Sequence, residues 1–276
     1  MKRFFASAIA LILALSVLSG CGEKQPVSSV PDVTQAENVT DSTEVVSENL
    51  TEAVPENTTE TVSQTEIEET TAEAVPSTVE EIVAYFNTSV NKVKPTAKKV
   101  VKNYEKRIVN EEKLVLPAGL ESTARSMIST FMKDDTEPIV YETREDITNE
   151  FIVPGQSYAS RLKPEWVKSA TLTDNGSQYI VRIILKDQND PTAGNGVGSV
   201  CDVIEVHEVA EKASFVKKFT ADYYNCEIVA TIDKASGNVV NIRYVTPVAL
   251  EMTVDLFGTH DGSVGLTFEK DYTITY

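Results

Sequence analysis

From Gly22 to Pro76 the chain contains no Phe, Tyr, Trp, Met or Cys, and Thr, Glu, Val, Ser, Pro and Ala dominate it. Carboxylates recur every few positions, as in Asn49-Leu50-Thr51-Glu52-Ala53-Val54-Pro55-Glu56, so that thirteen of them face one lysine over the stretch. Such a segment cannot bury enough apolar surface to offset the entropy of ordering it, which predicts a disordered tether over residues 21–76. A flexible chain of that length spans about 40 Å on average and about 180 Å drawn out. Its many Thr and Ser also suit it to carry O-linked sugar, and both uses leave it unfolded. Any fold is therefore confined to residues 77–276, about 200 residues, enough for a single domain.

Upstream of the tether, Lys2 and Arg3 precede an apolar run, Phe4 to Leu18, broken only by Ser7 and Ser16. A membrane-spanning helix needs about 20 apolar residues, whereas the apolar part of a signal peptide runs about 7–15. The run has the shorter length, and Leu18-Ser19-Gly20-Cys21 follows it directly. This order resembles bacterial lipoproteins, whose lipobox is a branched aliphatic residue, a variable one, a small one and cysteine. The resemblance implies that residues 1–20 are a signal peptide. It also implies that the Cys21 thiol carries a diacylglyceryl group with palmitate-type chains. Two chains give stable anchoring, at about 0.8 kcal/mol per buried methylene. The expected location is the cell membrane, lipid-anchored and facing the extracytoplasmic side. The alternative is an ordinary secretory signal with a chance cysteine.

The acidity lies mostly in the tether. The whole chain carries −17, removal of Lys2 and Arg3 makes this −19, and residues 22–76 account for −12, leaving −7 (−19 + 12) for residues 77–276. Nucleic acid is a poor partner for such a chain, because binding there relies on Lys and Arg to neutralise phosphates. Anionic lipid gains no extra grip either. Eight Lys and Arg between Lys92 and Lys113 form one basic patch. It reads as a solvated face, with docking of an anionic polymer as the alternative.

Cys201 and Cys226 remain, an even pair in an oxidising compartment. A disulfide between them would contribute on the order of 3 kcal/mol in the chain-entropy model. The alternative is two buried thiols packed as small hydrophobes. Neither cysteine lies in a CxxC, and no histidine cluster accompanies them, so no zinc, redox centre or other cofactor is expected.

In the folded part, Ser77-Thr78 with Glu80 and Glu81 matches a capping box. Val79, Ile82, Val83, Phe86, Val90 and Val93 recur at helical spacing, predicting a helix over 78–93. Residues 95–109 fit a helix through Ala97, Val100, Val101, Tyr104 and Ile108, or a solvent-facing strand. Pro117 to Lys133 predicts a second helix, with Leu120, Ala124, Met127, Ile128 and Phe131 as its stripe. Pro154 to Ser157 reads as a turn, and Pro164-Glu165-Trp166-Val167 as a short helical turn with its indole in the core. The pattern then becomes that of strands. Residues 170–173 and 179–185 flank the turn 174–177 as a hairpin. A polar loop, 187–198, follows, and the apolar spacing of 200–213 favours a short helix over a strand. A meander runs through 224–233, the turn 234–237, 239–245 and 250–257, then the turn 259–262, 264–268 and 272–276. Strict alternation implies one wet and one buried face, so the two helices must cover the other side. The expected class is α+β, an antiparallel β-meander packed on one face by helices.

Ile232 to Val239, with the turn Lys234-Ala235-Ser236-Gly237, is similar to the hairpin common in lipoproteins of the LolA/LppX kind. That resemblance implies a curved antiparallel sheet cradling helices and holding acyl chains, and it carries over no ligand-binding residue.

Catalytic constellations find little support. His207 and His260 have no companion at ligand spacing, and no GxSxG elbow is present. Gly194-Asn195-Gly196-Val197-Gly198 follows a polar loop and lacks GK[ST]. Asp187-Gln188-Asn189-Asp190 opens like a calcium loop, but Pro191 and the missing Gly and Glu break it. No carboxylate pair stands out. The leading expectation is a non-catalytic lipoprotein binding an apolar or amphiphilic ligand between sheet and helices. A second is a structural or interaction module that contacts cell-wall polymer or a partner protein, and a third an envelope hydrolase.

Overall fold

The computed structural model of the chain describes residues 75–116, 122, 125, 134–207, 211, 216–255 and 258–276. The expected signal peptide and all but the last two residues of the expected tether lie outside these residues, as does the helix expected over 117–133 apart from helical Ser122 and Arg125.

The expected capping box opens the first helix, α1 (Val79–Asn91). Thr78 Oγ1 accepts from Glu81 N at 3.2 Å while Glu81 Oε2 accepts from Thr78 N at 3.0 Å. Ile82, Val83, Phe86 and Val90 form its buried stripe. One further turn, α2 (Val93–Thr96), leads into β1 (Lys99–Val115), which settles the two readings of 95–109 in favour of a strand. Local helical spacing gives way there because β1 pairs with β9 (Thr259–Thr275) along most of its length. Residues 134–150 add two elements that the sequence pattern did not suggest, β2 (Ile139–Tyr141) and α3 (Arg144–Glu150). The cap of α3 is Thr143, whose Oγ1 accepts from Asp146 N at 3.0 Å.

A 3-10 turn at Pro164–Trp166 precedes the expected hairpin of β3 (Val167–Asn175) and β4 (Gln178–Leu185). Next come β5 (Gln188–Asn189), a 3-10 turn at Gly196–Ser199, β6 (Val216–Tyr223), β7 (Glu227–Asp233) and β8 (Val239–Asp255). These strands form a nine-stranded antiparallel sheet with the order β2-β1-β9-β8-β7-β4-β3, in which β6 pairs with β8 and β5 with β6.

The meander is built from longer pieces than the sequence pattern implied. The two strands expected at 239–245 and 250–257 are one 17-residue strand, β8, and the turn expected at 259–262 lies inside β9. Chain reversal falls before Thr259, beside Gly258 at φ 126°. β6 and β7 run end to end along one side of β8, Tyr223 opposite Val248 and Glu227 opposite Val245. The interruption between them, Tyr224-Asn225-Cys226, places Asn225 at φ 49°. Pro247 sits opposite this gap. Its carbonyl accepts from Tyr224 N at 3.2 Å, so its absent N–H also points toward the gap, where no ladder bond is lost.

The helix expected over 200–213 does not form at its start. Residues 201–205 are irregular, and only Val206, His207 and Glu211 are helical among the described residues of that span. Specific polar bonds hold the irregular run: Ile204 N donates to the Tyr223 hydroxyl at 2.9 Å, and Ala193 N to Glu205 Oε1 at 2.7 Å.

Alternate residues of β8, from Ile242 through Val254, point into the core, as do Ile228, Ala230 and Ile232 of β7 and Val181, Ile183 and Leu185 of β4. Phe86 of α1 and Ile147 of α3 are buried among them, with Phe151, Ala159 and Leu162 from the segment between α3 and β3. That segment docks on α1 through two asparagines. Asn91 Nδ2 donates to Ser160 O at 2.8 Å, and Asn87 Nδ2 to Leu162 O at 2.8 Å. The opposite sheet face is polar and carries a row of alternating charge. Arg182 pairs with Glu227, Arg243 with Glu269 at 3.4 Å, and the Tyr104 hydroxyl donates to Glu269 Oε1 at 2.6 Å.

Candidate functional site

The core face carries a polar seam whose origin is a register shift in β1. Pairing with β9 slips between Lys102 and Tyr104, the signature of a bulge, so Lys102 and Glu105 both turn inward while Tyr104 joins the wet face. Glu105 is 3% exposed. Lys102 Nζ lies 2.8 Å from its Oε2, and an Arg107 nitrogen 3.0 Å from its Oε1. Arg107 also reaches Asp135 at 3.2 Å. Burial alone would raise the Glu105 carboxyl, but Lys270, Lys102 and Arg107 together pull it down to about 2.

Lys270 belongs to β9 and links this cluster to a cleft. The cleft lies between the end of α3 and the middle of β8 and β9, where the ladder to β6 and β7 is interrupted. Its floor is Cys201, Tyr223, Tyr244, Phe268 and Tyr272, with Thr246 beside them and Ile152 and Pro154 as a wall. The charged groups lining it are Glu150, Asp202 and Lys270, and Lys270 Nζ stands 4.0 Å from Asp202 Oδ2. Its cavity volume is about 30 Å³. The Tyr223 hydroxyl is occupied by Ile204 N. That of Tyr244 is buried without a hydrogen-bond partner. Burial pushes the Tyr244 and Tyr272 phenols well above their ordinary range, so both stay protonated.

The wall is held by an inward-turned lysine. Lys94 Nζ donates to the carbonyls of Thr148, Val153 and Gln156 at 3.2, 2.9 and 2.8 Å. Val153 adopts φ 54°, a left-handed conformation rare for a β-branched residue. Burial lowers the Lys94 ammonium to about 8.

The other candidate residues fall elsewhere. Cys201 lines the cleft, Cys226 is the last residue of the β6–β7 interruption, and both are buried free thiols rather than a disulfide, which corrects the first of the two readings above. Each packs as a small apolar group, and burial drives both thiols up, Cys226 to about 12. The basic stretch from Lys92 to Lys113 is dispersed over the end of α1, α2 and β1. Lys94 and Lys102 turn inward, Lys92 reaches Ser236 O at 3.1 Å, and Lys113 lies over the Tyr224 ring at 4.0 Å. His207 is exposed, 3.5 Å from Glu205, and His260 lies in β9 opposite Val254. The glycines of 194–198 answer to backbone conformation, with Gly194 at φ 83° and Gly196 at φ 52°, and to packing. A Cβ on Gly198 would meet the Thr192 carbonyl oxygen at 2.2 Å. Trp166 is half-buried against the core.

Sequence reasoning found neither the cleft nor the seam. Their residues lie far apart along the chain, and Lys270, Glu105 and Asp202 look like ordinary surface charges in a strand or loop pattern. No described helix is long and apolar enough to cross a membrane, and no described cluster of His, Cys, Asp and Glu could hold a metal ion. Comparison with protein-family models, with curated proteins and with solved structures gives no match.

Proposed function

We propose that the chain is a bacterial lipoprotein held at the extracytoplasmic face of the cell membrane by diacylglyceryl-Cys21. Residues 22–76 serve as a tether, and residues 77–276 form a non-catalytic α+β binding module. The module recognises the exposed end of a partner, on a protein or a wall polymer, rather than enclosing a lipid. One observation carries this choice. Among the described residues, the cleft between the end of α3 and the sheet has a volume of about 30 Å³, against roughly 300–1,000 Å³ for pockets that enclose a drug-sized ligand. An acyl chain does not fit such a space, whereas a small terminal group does. The anchor rests on the order of basic tip, short apolar run and Leu18-Ser19-Gly20-Cys21.

Two measurements test the two halves. Cys21→Ala should move the protein from the membrane fraction to the soluble extracytoplasmic fraction. Retention in the membrane pellet at the precursor mass would show the uncut apolar run acting as the anchor instead. Native mass spectrometry of the purified protein should show no lipid beyond that bound covalently at Cys21. A stoichiometric non-covalent acyl lipid would return the reading to a lipid carrier.

A further inference from the structure

We propose that the outer edge of β3 is a dimerisation surface, where a second copy of this chain adds its own β3 antiparallel to the first. This goes beyond the reading of the domain as a binding module and uses none of the cleft residues. The sheet ends in β3, and no other strand among the described residues pairs with its far side. At the opposite end β2 is only three residues long, whereas β3 runs nine residues without proline. A strand of that kind presents a row of unpaired N–H and C=O groups, a template for another strand.

Register decides which groups point outward. Asn175 and Gln178 flank the two-residue turn of the β3–β4 hairpin, so they exchange ladder bonds, and bonded pairs alternate from there. Thr173 and Thr171 therefore bond to β4, while Ala170, Leu172 and Asp174 direct their N–H and C=O away from the sheet. Between Lys168 and Asp174 the edge is uncharged, and these two opposite charges lie at equal distance on either side of Thr171. A two-fold axis through Thr171 thus sets Lys168 of each copy against Asp174 of the other. In the same register Ala170 faces Leu172, so outward-pointing residues pair with one another as an antiparallel ladder requires. Such an isologous contact needs a patch that complements itself, and this edge does.

Both charges are open to a partner. Lys168 is exposed and makes only a 3.5 Å contact with Asn225 Oδ1. Asp174 receives Lys234 Nζ and Gly176 N on Oδ1, which leaves Oδ2 for the incoming ammonium. Ala170 and Leu172 are only partly buried against the core, and across the seam each covers the open flank of the other. The register shift between Val167 and Ser169 bounds the seam at Lys168.

The test uses the chain from residue 21 onward, carrying Cys21→Ala. Analytical ultracentrifugation should show a monomer–dimer equilibrium, and a chain that stays monomeric up to about 1 mM overturns the proposal. Leu172→Pro removes an N–H that points outward, so the β3–β4 ladder keeps its bonds while the added strand loses one. Lys168→Glu, an exposed change, sets like charges together at both ends of the seam. Each should weaken the dimer at least about tenfold with the circular-dichroism melt of the monomer unchanged. A dimer that either folded variant leaves unchanged lies elsewhere and overturns the proposal; if Leu172→Pro does not fold, Lys168→Glu decides. Cysteines then read the register. Thr171 meets its own copy as a non-bonded pair with Cα atoms about 4.5 Å apart, within disulfide reach. Thr173 lies about 14 Å from its copy. With oxidised glutathione as the oxidant, Thr171→Cys should form a covalent dimer at least about tenfold faster than Thr173→Cys. Equal rates would overturn the proposed seam. Cys201 and Cys226 are buried in both variants and cancel in the comparison.

Discussion

At the scale of single residues, the buried ion cluster dominates the pH response. The Glu105 carboxyl sits at about 2 in the folded chain against an ordinary value of 4.5. A group whose folded value is depressed contributes stability above its unfolded value and loses it as pH falls toward its folded one. Resistance to denaturant should therefore weaken between pH 4.5 and 2, by on the order of 3 kcal/mol from this group. Glu105→Gln should be less stable at pH 7 and flatter across that window, and an unchanged slope would remove Glu105 from the account. The thiols make a second case. Cys201 and Cys226 should resist labelling in the native protein and both react once it is unfolded without reductant, giving two thiols from this pair. Finding none until reductant is added would restore the disulfide.

At the scale of elements, loop 190–199 and the β3–β4 turn need their glycines for different reasons. Gly176 has φ 67° and open space around its absent side chain, so Gly176→Ala should cost only the conformational penalty of about 1–2 kcal/mol. Gly198 has the Thr192 backbone oxygen 2.2 Å from where a Cβ would sit. Gly198→Ala should lower stability by roughly 2 kcal/mol or more through a forced backbone shift, visible as the larger drop in melting temperature. Elements whose signal is local were legible in sequence. The capping box of α1, the Asp174-Asn175-Gly176-Ser177 turn and the alternation of Leu250, Met252 and Val254 belong to this group. β2 and α3 were not legible, being short and held by caps and partners. The extent of β8 and β9 was hidden as well, because Pro247 reads as a break until the gap opposite it is seen. The helical spacing of 200–213 overreached at its start, where Tyr223 and Ala193 supply partners that no local pattern reveals.

At the scale of the whole molecule, the sequence indicated an antiparallel sheet with helices, expected within residues 77–276. It did not indicate the site, since the cleft draws on α3, the irregular run at 201–205 and several strands at once. A binding surface assembled from such distant pieces leaves no motif, whereas the proposed anchor at Cys21 is written in four consecutive letters.

The placement of β9 has a consequence for how the chain acquires its shape. β9 lies between β1 and β8 in the sheet, yet it follows both in the chain, so β1 cannot close its ladder with β9 until β2 through β9 have been synthesised. Contacts of such long sequence separation form slowly. Until they form, a 17-residue ribbon waits with its β9 edge open. If exported as proposed, the chain would cross the membrane while still threadable and become resistant to proteases only after β9 slides into place.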